Sequence, residues 1–545
     1  MTMSDGDRCE VLVVGAGPTG LMAALLLRRQ GIDVRIVDRN AQPSRESRAF
    51  AVSARTLELF ASLGLADALL QRGVINSSIG FHVSGEWIGG LDFDQASAPD
   101  TPYRFILMLP QAETEAVLLD ALDEGWLAVE REVEVTGLSA DADGVRVKAQ
   151  DATGVATTLH ARYVIGADGA HSIIRHALDL RFEGAPYPQN FLLGDVAVDW
   201  PLGHDRFRVF VHADRIGLYF PLDGGSMSRV MTTDLRADPD EHAAPDLSLA
   251  ELQDAFQEAS CLPVTLSQPQ WLTRFRSHHR VVDRYRVGPV FVAGDAAHIH
   301  SPAGGQGMNT GLQDAANLAW KLVSVLRGGA PDALLDSYGA ERLPVAQDVL
   351  RFTNRIFSAA AGQVGWRAWL RDALAPMLVG PASALDVVQD RAFRKFAQID
   401  IAYFPNPAVA ECAKGPSPRP GERAPNAQLT RHRDLFDLLS GYRFHVLALS
   451  HRHLSPTEAG ALADALARLS GERVATHLLA RLTVGAHGSV ERLERADLFE
   501  RYGLTAEDAQ ALLLVRPDGV VAWRSDSIDL PGCTTFLRRL GVAPH

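Results

Sequence analysis

A chain of 545 residues, 47% hydrophobic and 22% charged, has material for two to four packed domains and is neither disordered nor fibrous. Its formal net charge of −13 argues against a polyanionic partner such as nucleic acid.

The start, MTMSDGDRCE, is polar and acidic, unlike a secretory signal. Val11 to Val14 then reads as a buried parallel strand. Gly15, Gly17 and Gly20 follow in the spacing G-x-G-x-x-G, Ala23 to Arg29 reads as helix, and Gly31 is its stop. These breaks argue for strand plus helix and against a membrane span. A second strand, Asp33 to Val37, ends on Asp38. In this order the glycines allow a tight turn, close approach of a pyrophosphate and close packing of helix on strand. The helix start offers open N–H groups to phosphate, and Asp38 is placed to accept from a ribose. The pattern indicates a dinucleotide without separating FAD from NAD.

Arg45 and Arg48 lie in the next loop, as partners of a pyrophosphate or nicotinamide nucleotide or as solvated charges. A helix is predicted from about Ser53 to Ser62, and antiparallel strands from about Gly73 to Thr101. Gln111 opens a helix that runs to Leu122, and VEREVEVTGLSADADGVRVKAQ reads as a hairpin. In YVIGADGAHSIIR a strand runs into Gly166-Ala167-Asp168-Gly169 and then a helix with Ser172 and Arg175. Strands dominate from Phe182 to Arg286, apart from a helix at about Ser248 to Ala259, as in a domain inserted between pieces of another. GPVFVAGDAAHIHSPAGGQGMNTGLQDAANLAWKL then gives a strand ending at Gly294-Asp295, a glycine-rich loop, and a helix from about Asn309 to Arg327. Asp295 sits where α/β sheets bind ligands, or serves as an N-cap. His298 and His300 have no nearby third ligand, so no metal site is expected.

YFPNPAVAECAKGPSPRPGERAPNAQL reads as an extended linker, and the tail alternates strand, helix, strand and a hairpin at Asp518-Gly519. Cys9, Cys261, Cys412 and Cys533 form no C-x-x-C pair. Scattered thiols of this kind point to a reducing, cytoplasmic setting without a redox dithiol.

GAGPTG, GADGAHSIIR and GDAAHIHSPAGGQGMN, in that order, resemble the single-component FAD-dependent aromatic hydroxylases, the group of para-hydroxybenzoate hydroxylase, phenol hydroxylase and the aromatic polyketide hydroxylases. The likeness spans about residues 8 to 375. GERAPNAQL, LFDLL and RPDGVVAWR extend it to the tail, which is thioredoxin-like in those enzymes. The resemblance implies an α/β fold with a discontinuous Rossmann-like FAD-binding domain at 1–72, 103–180 and 285–400, including trailing helices. A mostly antiparallel substrate-binding sheet would occupy 73–102 and 181–284, a linker 401–430, and a thioredoxin-like domain without a dithiol 431–545.

By position, Gly15, Gly17, Pro18 and Gly20 would cradle the FAD pyrophosphate, with Asp38 and Arg39 toward the adenosine ribose. Arg48 and Gln111 would reach the pyrophosphate and ribityl region, Asp168 would serve FAD and NADPH, and Asp295 would bind the ribityl chain. Pro302, Gly307, Met308 and Asn309 would lie by the flavin ring. Tyr219, Pro221 and Met231 are candidates for the substrate wall, or ordinary core. In the family NADPH, or NADH, reduces FAD, and O2 forms a flavin C4a-hydroperoxide that hydroxylates a phenol or aromatic polyketide. The implied protein is a cytoplasmic monomer or homodimer with a small phenolic substrate and neither nucleic acid nor membrane as partner. A Baeyer–Villiger or epoxidising monooxygenase and a flavin-binding partner protein that does not oxygenate remain as alternatives.

Overall fold

The computed structural model describes residues 8–43, 49–94, 98–125, 127–141, 143–223, 225–234, 246–300, 305–361, 386–411, 416–482, 491–492 and 497–542. The first sheet holds the nucleotide-binding pattern. Strand Arg8–Val14 lies between Val34–Val37 and Ala156–Gly166, with Val290–Val292 beyond, all four parallel. Val11, Leu12 and Val13 are fully buried, as an unalternating apolar run in a parallel sheet requires. Helices Pro18–Arg29 and Gly307–Gly328 pack on this sheet and on each other. An antiparallel hairpin, Glu134–Asp141 with Gly144–Gln150, extends it.

The second sheet has eight strands, ordered His298–Ile299, Thr265–Val282, Phe182–Asp199, Ser228–Asp234, Arg215–Pro221, Phe207–His212, Ser78–Val83, Glu86–Asp92. All pairings are antiparallel except Phe207–His212 with Ser78–Val83. Helix Leu249–Ser260, with a Ser248/Glu251 capping box, covers one face. The other face packs, through Phe220 and Met231, on Phe50 and on Met108 of strand Ile106–Met108.

Two assignments from the sequence shift here. Val74–Asn76 leaves the large sheet and pairs with Ile106–Met108, which also pairs Ala51–Val52. His298–Ile299 crosses over and pairs with Arg280 and Val281 of the large sheet.

The C-terminal unit runs strand Phe444–Leu454, helix Pro456–Ala467, strand Val474–Leu482, helix Asp497–Arg501, strands Gln510–Val515 and Val521–Ser525, and helix Leu530–Arg539. The described part of 401–430 contains no helix, yet it is no loose tether. Ala408 is fully buried, and Arg423 pairs with Glu58 at 2.9 Å. No described helix is long and apolar enough to cross a membrane.

Candidate flavin and substrate site

The three motifs meet at one point. Gly15 adopts φ +102°, and a Cβ there would come 2.3 Å from the Ala167 carbonyl oxygen of the middle motif. A Cβ on Gly20 would come 1.9 Å from the Gly15 oxygen. Those two glycines are therefore demanded by the protein's own packing. Gly17 differs: its φ is an ordinary −78°, and a Cβ would meet nothing within 4 Å. Gly17 faces a cavity of about 1060 Å³ together with Pro18 and Thr19. The helix begins with Pro18, lacks a side-chain cap, and so leaves its first-turn N–H groups open at that cavity.

Asp38 buttresses this turn. Its carboxylate accepts from the Ala16 N–H at 2.7 Å and the Asn40 N–H at 2.8 Å, with Arg131 at 3.8 Å. Arg39 is exposed and lies off the cavity wall. Arg48 and Pro302 fall outside the described residues.

The middle turn is held by Asp168. Ser172 Oγ donates to it at 2.5 Å and the Ile174 N–H at 3.2 Å. Burial pushes this carboxyl up, against those hydrogen bonds. Its side chain is committed to the start of its own helix, Ile173–Ala177, while neighbours Ala167, Gly169 and His171 form cavity wall. Arg175 lies 4.0 Å over the Phe182 ring and donates to the Ala170 and Ala296 carbonyls, tying the middle motif to the third.

In the third motif, a Cβ on Gly294 would come 2.5 Å from Thr19 Oγ1, and one on Gly311 would come 2.3 Å from it. Thr19 is thus the contact that locks the first motif to the third, and its small side chain inside a glycine motif gave no sign of this. Asp295 is at the cavity wall. It caps neither its own short turn, whose N-cap is Ala293, nor helix Gly307–Gly328, whose N-cap is Gln306.

Asp314 was missed by the sequence reading. It accepts from the Gly294 N–H at 3.2 Å, from Arg342 Nε at 2.6 Å, and pairs with His298 Nε2 at 2.8 Å. Burial alone would raise its carboxyl, but Arg342 and His298 hold it below the usual range. The available signal was a polar stripe at helical spacing, Thr310, Asp314, Asn317 and Lys321, all of it buried. This pairing also gives His298 a structural role. Among the described residues no cluster of three or more His, Cys, Asp or Glu side chains is arranged to hold a metal.

Gly307, Met308 and Gln111 line the cavity. Asn309 does not face it. Its amide accepts from the Ser53 N–H at 2.9 Å and donates to the Ala51 and Gly305 carbonyls, both at 2.8 Å. It therefore fixes the helix start against the 49–53 segment.

The apolar wall comes from strand Thr265–Val282, through Trp271, Thr273 and Phe275, with Ala49 and Met308. Here the candidates Tyr219, Pro221 and Met231 need correction, since none lines the cavity. Strand alternation sends Leu218 and Phe220 toward Phe50 and Met108, and Tyr219 the other way, against Trp200, Phe210 and Phe256. Ser228 Oγ donates to Tyr219 Oη at 2.8 Å, which satisfies it as core. Met231 faces the right side but is covered by neighbours. Behind the wall, Arg229 makes two 2.7 Å bonds to Asp195 and lies 5.3 Å from the Phe50 ring and 5.4 Å from the Trp271 ring. The lining also carries the guanidinium groups of Arg175, Arg274, Arg276 and Arg280.

Residues 8–353 match the family model for the FAD binding domain, and residues 417–543 that for the aromatic-ring hydroxylase C-terminal domain. Pentachlorophenol 4-monooxygenase of Sphingobium chlorophenolicum is 32% identical over 94% of this chain and 93% of its own. Among solved structures, the anhydrotetracycline hydroxylase of Streptomyces rimosus superposes with TM-score 0.74 at 28% identity, covering 99% of this chain and 100% of that one. Aklavinone-11 hydroxylase, in a ternary complex with FAD and aklavinone, does so with TM-score 0.76 at 27% identity, covering 99% of each chain. With the phosphate turn, the glycine-demanding motif contacts and a single cavity joining them to an aromatic wall, these matches establish that the chain belongs to the FAD-dependent aromatic-ring hydroxylases, monooxygenases that use FAD.

Proposed function

We propose that this monooxygenase adds a hydroxyl group ortho or para to an existing hydroxyl on a fused-ring phenol of the aromatic polyketide type. The observation that carries the reading is the single cavity of about 1060 Å³, which runs from Gly17 and Thr19 to Trp271 and Phe275. That volume is at the upper end of ligand pockets, roughly 300–1000 Å³, as cofactor and a broad substrate together would require. Bound FAD, reduced by NAD(P)H, supplies the chemistry that activates O2.

The chain's own residues bind, orient and exclude water. The open helix start at Gly17 to Thr19 takes the pyrophosphate, and Asp38 fixes the turn next to the ribose. Asp295 takes the ribityl hydroxyls, and Gly307 and Met308 take the ring. Trp271 and Phe275 offer flat apolar faces to an aromatic substrate and keep water away from the reacting carbon. The arginines of the lining, Arg175 and Arg280 among them, suit the phosphates of the nicotinamide nucleotide. The strand and helix order of the C-terminal unit, with Phe444–Leu454 central and Val474–Leu482 parallel to it, fits a thioredoxin-like domain. Its Cys533 is buried and alone, and burial pushes the thiol up to about 12, so we assign the unit a scaffolding role.

The test is turnover under 18O2 with NADPH and paired panels of fused-ring and monocyclic phenols, read by product mass. One labelled oxygen in a fused-ring phenol is the expected result. Labelled product from monocyclic phenols alone would reject the substrate class. A lactone product would make the enzyme a Baeyer–Villiger monooxygenase instead.

A further inference from the structure

Gln111 opens helix Gln111–Glu124 and lines the cavity beside Ala49, whose carbonyl accepts from the Gln111 N–H at 3.1 Å. One turn along the helix lies Glu115, a carboxylate only 3% exposed. Gln111 Nε2 donates to Glu115 Oε1 at 2.7 Å. The other end of the amide, Gln111 Oε1, accepts from no described residue and is left to the cavity.

A bond between residues four apart adds little to a helix, whereas burying a carboxylate is costly. Glutamine at position 115 could make a similar bond without the charge. The two choices differ in direction. An amide facing another amide is satisfied either way round, with its NH2 or its carbonyl outward. A carboxylate only accepts, so it takes the NH2 end and leaves the carbonyl outward. Charged groups stand around the pair. Burial pushes the Glu115 carboxyl up, the Gln111 amide and Arg131 pull it down, and Asp38 pushes it up again. Arg131 also lies 3.8 Å from Asp38, which buttresses the phosphate turn.

The direction of the Gln111 amide matters for what binds against it. A carbonyl oxygen repels phosphate oxygens, which also only accept, and it takes a hydrogen bond from a hydroxyl. In FAD such hydroxyls lie on the ribityl chain, next to the pyrophosphate that the helix start at Gly17 to Thr19 would take.

We propose that Glu115 is a positioning residue: its buried carboxylate turns the Gln111 amide so that the carbonyl oxygen faces the cavity, accepts from a ribityl hydroxyl of FAD and turns phosphate away. The inference rests on the FAD reading of the cavity, and it puts Gln111 at the ribityl chain and not at the pyrophosphate.

The experiment titrates apo protein at about pH 8, where carboxylates are ionised, with FAD by fluorescence and with ADP by calorimetry. ADP carries the adenosine and the pyrophosphate but no ribityl chain. Wild type, Glu115→Gln, Gln111→Ala and their double variant are compared, each beside its thermal melt. Glu115→Gln keeps the shape of the side chain and frees the Gln111 amide to turn. It should bind FAD about fivefold more weakly and ADP as wild type does. In the Gln111→Ala background it should add no further loss, since Glu115 acts through Gln111. Glu115→Asp, which withdraws the carboxylate by one methylene, should show the same pattern and carries the test if Glu115→Gln does not fold. A lowered unfolding temperature with unchanged FAD affinity would make Glu115 merely structural and overturn the inference. An equal loss of FAD affinity with and without the Gln111 side chain would overturn it as well. A parallel loss of ADP affinity would move Gln111 to the pyrophosphate and reject the ribityl contact. If wild type itself takes up no FAD, the cofactor reading falls and the inference with it.

Discussion

Arg516, at the turn between the last two strands, donates to both carboxylate oxygens of Glu341, at 2.7 and 3.0 Å, and neither side chain is exposed at all. Lys321 Nζ donates to the same carboxylate at 2.8 Å, Asn406 at 3.1 Å, and Asp518 accepts from Arg516 Nε at 2.9 Å. The C-terminal unit is thus joined to helices Gly307–Gly328 and Asp336–Ala361 by a dry network of two cations and two carboxylates. Burial alone would push the Glu341 carboxyl up, but Arg516 and Lys321 hold it at about 2.

Removing one member leaves a buried charge unmatched, which costs about 3–5 kcal/mol. Glu341→Gln is therefore expected to lower stability by that order. Glu341→Gln/Arg516→Met should lose less than the sum of its two single variants, because the second change removes the stranded cation. Urea midpoints of the three variants check this; strict additivity would mean the contact is not coupled.

The phosphate turn allows a cleaner separation of folding from binding. Gly17→Ala adds a methyl with no protein atom within 4 Å, on backbone that any residue adopts. The apo protein should keep its unfolding temperature while FAD affinity falls at least about tenfold, or about 1.4 kcal/mol. Gly15→Ala and Gly20→Ala should instead destabilise the apo protein, since each places a Cβ within 2.3 Å of a backbone oxygen. Titration of apo protein with FAD, beside thermal melts, separates the two kinds of glycine. Loss of apo stability in Gly17→Ala would remove the argument that its openness serves a ligand.

The three glycine motifs were legible in the sequence because their physics is local: a strand ends, a left-handed or close-approach glycine follows, a helix starts. The contacts that make them one site were not. Thr19 against Gly294 and Gly311, and Asp314 between Gly294 and Arg342, join residues far apart in the chain that carry no period of their own. Asn309 was legible as a site residue, but not that its amide would be spent on the backbone of Ala51, Gly305 and Ser53. Tyr219 illustrates a different limit. Strand Arg215–Pro221 is apolar on both faces, so the sequence fixes its alternation without fixing which face meets the cavity.

Acid should loosen the C-terminal unit first. His445 Nδ1 lies 3.1 Å from His477 Nε2, and their rings stack at 5.4 Å. Burial, then the neighbouring His477 and Arg443, pushes His445 down to about 3. Burial, with Arg443 and Arg433 nearby, pushes His477 down to about 4. Both stay neutral in the folded protein, whereas in the unfolded chain histidine takes up a proton near pH 6.5. The sign follows from linkage: the stabilisation is complete above about pH 6.5 and is lost as pH falls toward the folded values. At pH 5 the loss from His445 is about 2 kcal/mol. His445→Asn/His477→Asn should flatten the fall in unfolding temperature between pH 7 and pH 5. Some slope should remain, because burial also pushes His82 in the large sheet down to about 4. An equally steep fall in the double variant would place the acid sensitivity elsewhere.

Asp295 gives the most direct test of the cofactor site. It stands on the cavity wall at the end of strand Val290–Val292, and it caps neither adjoining helical element. Its backbone position is set from below by Asp314, which holds the Gly294 N–H and is itself fixed by Arg342 and His298. The two carboxylates therefore differ in place: Asp314 builds the turn, and Asp295 lines the cavity above it. Removing Asp295 should forfeit one charge-assisted hydrogen bond to the ribityl chain, about 1.5–3 kcal/mol, so Asp295→Ala should bind FAD about ten- to a hundredfold more weakly. Its apo unfolding temperature should fall less than that of Asp314→Ala. Asp314→Ala should show the opposite emphasis, with marked loss of apo stability because Arg342 is left buried without its carboxylate. Fluorescence titration of FAD into each apo variant, beside melts of the same samples, reads both effects. Unchanged FAD affinity in Asp295→Ala would remove it from the cofactor site, and a large drop in apo stability would return it to the role of a structural cap.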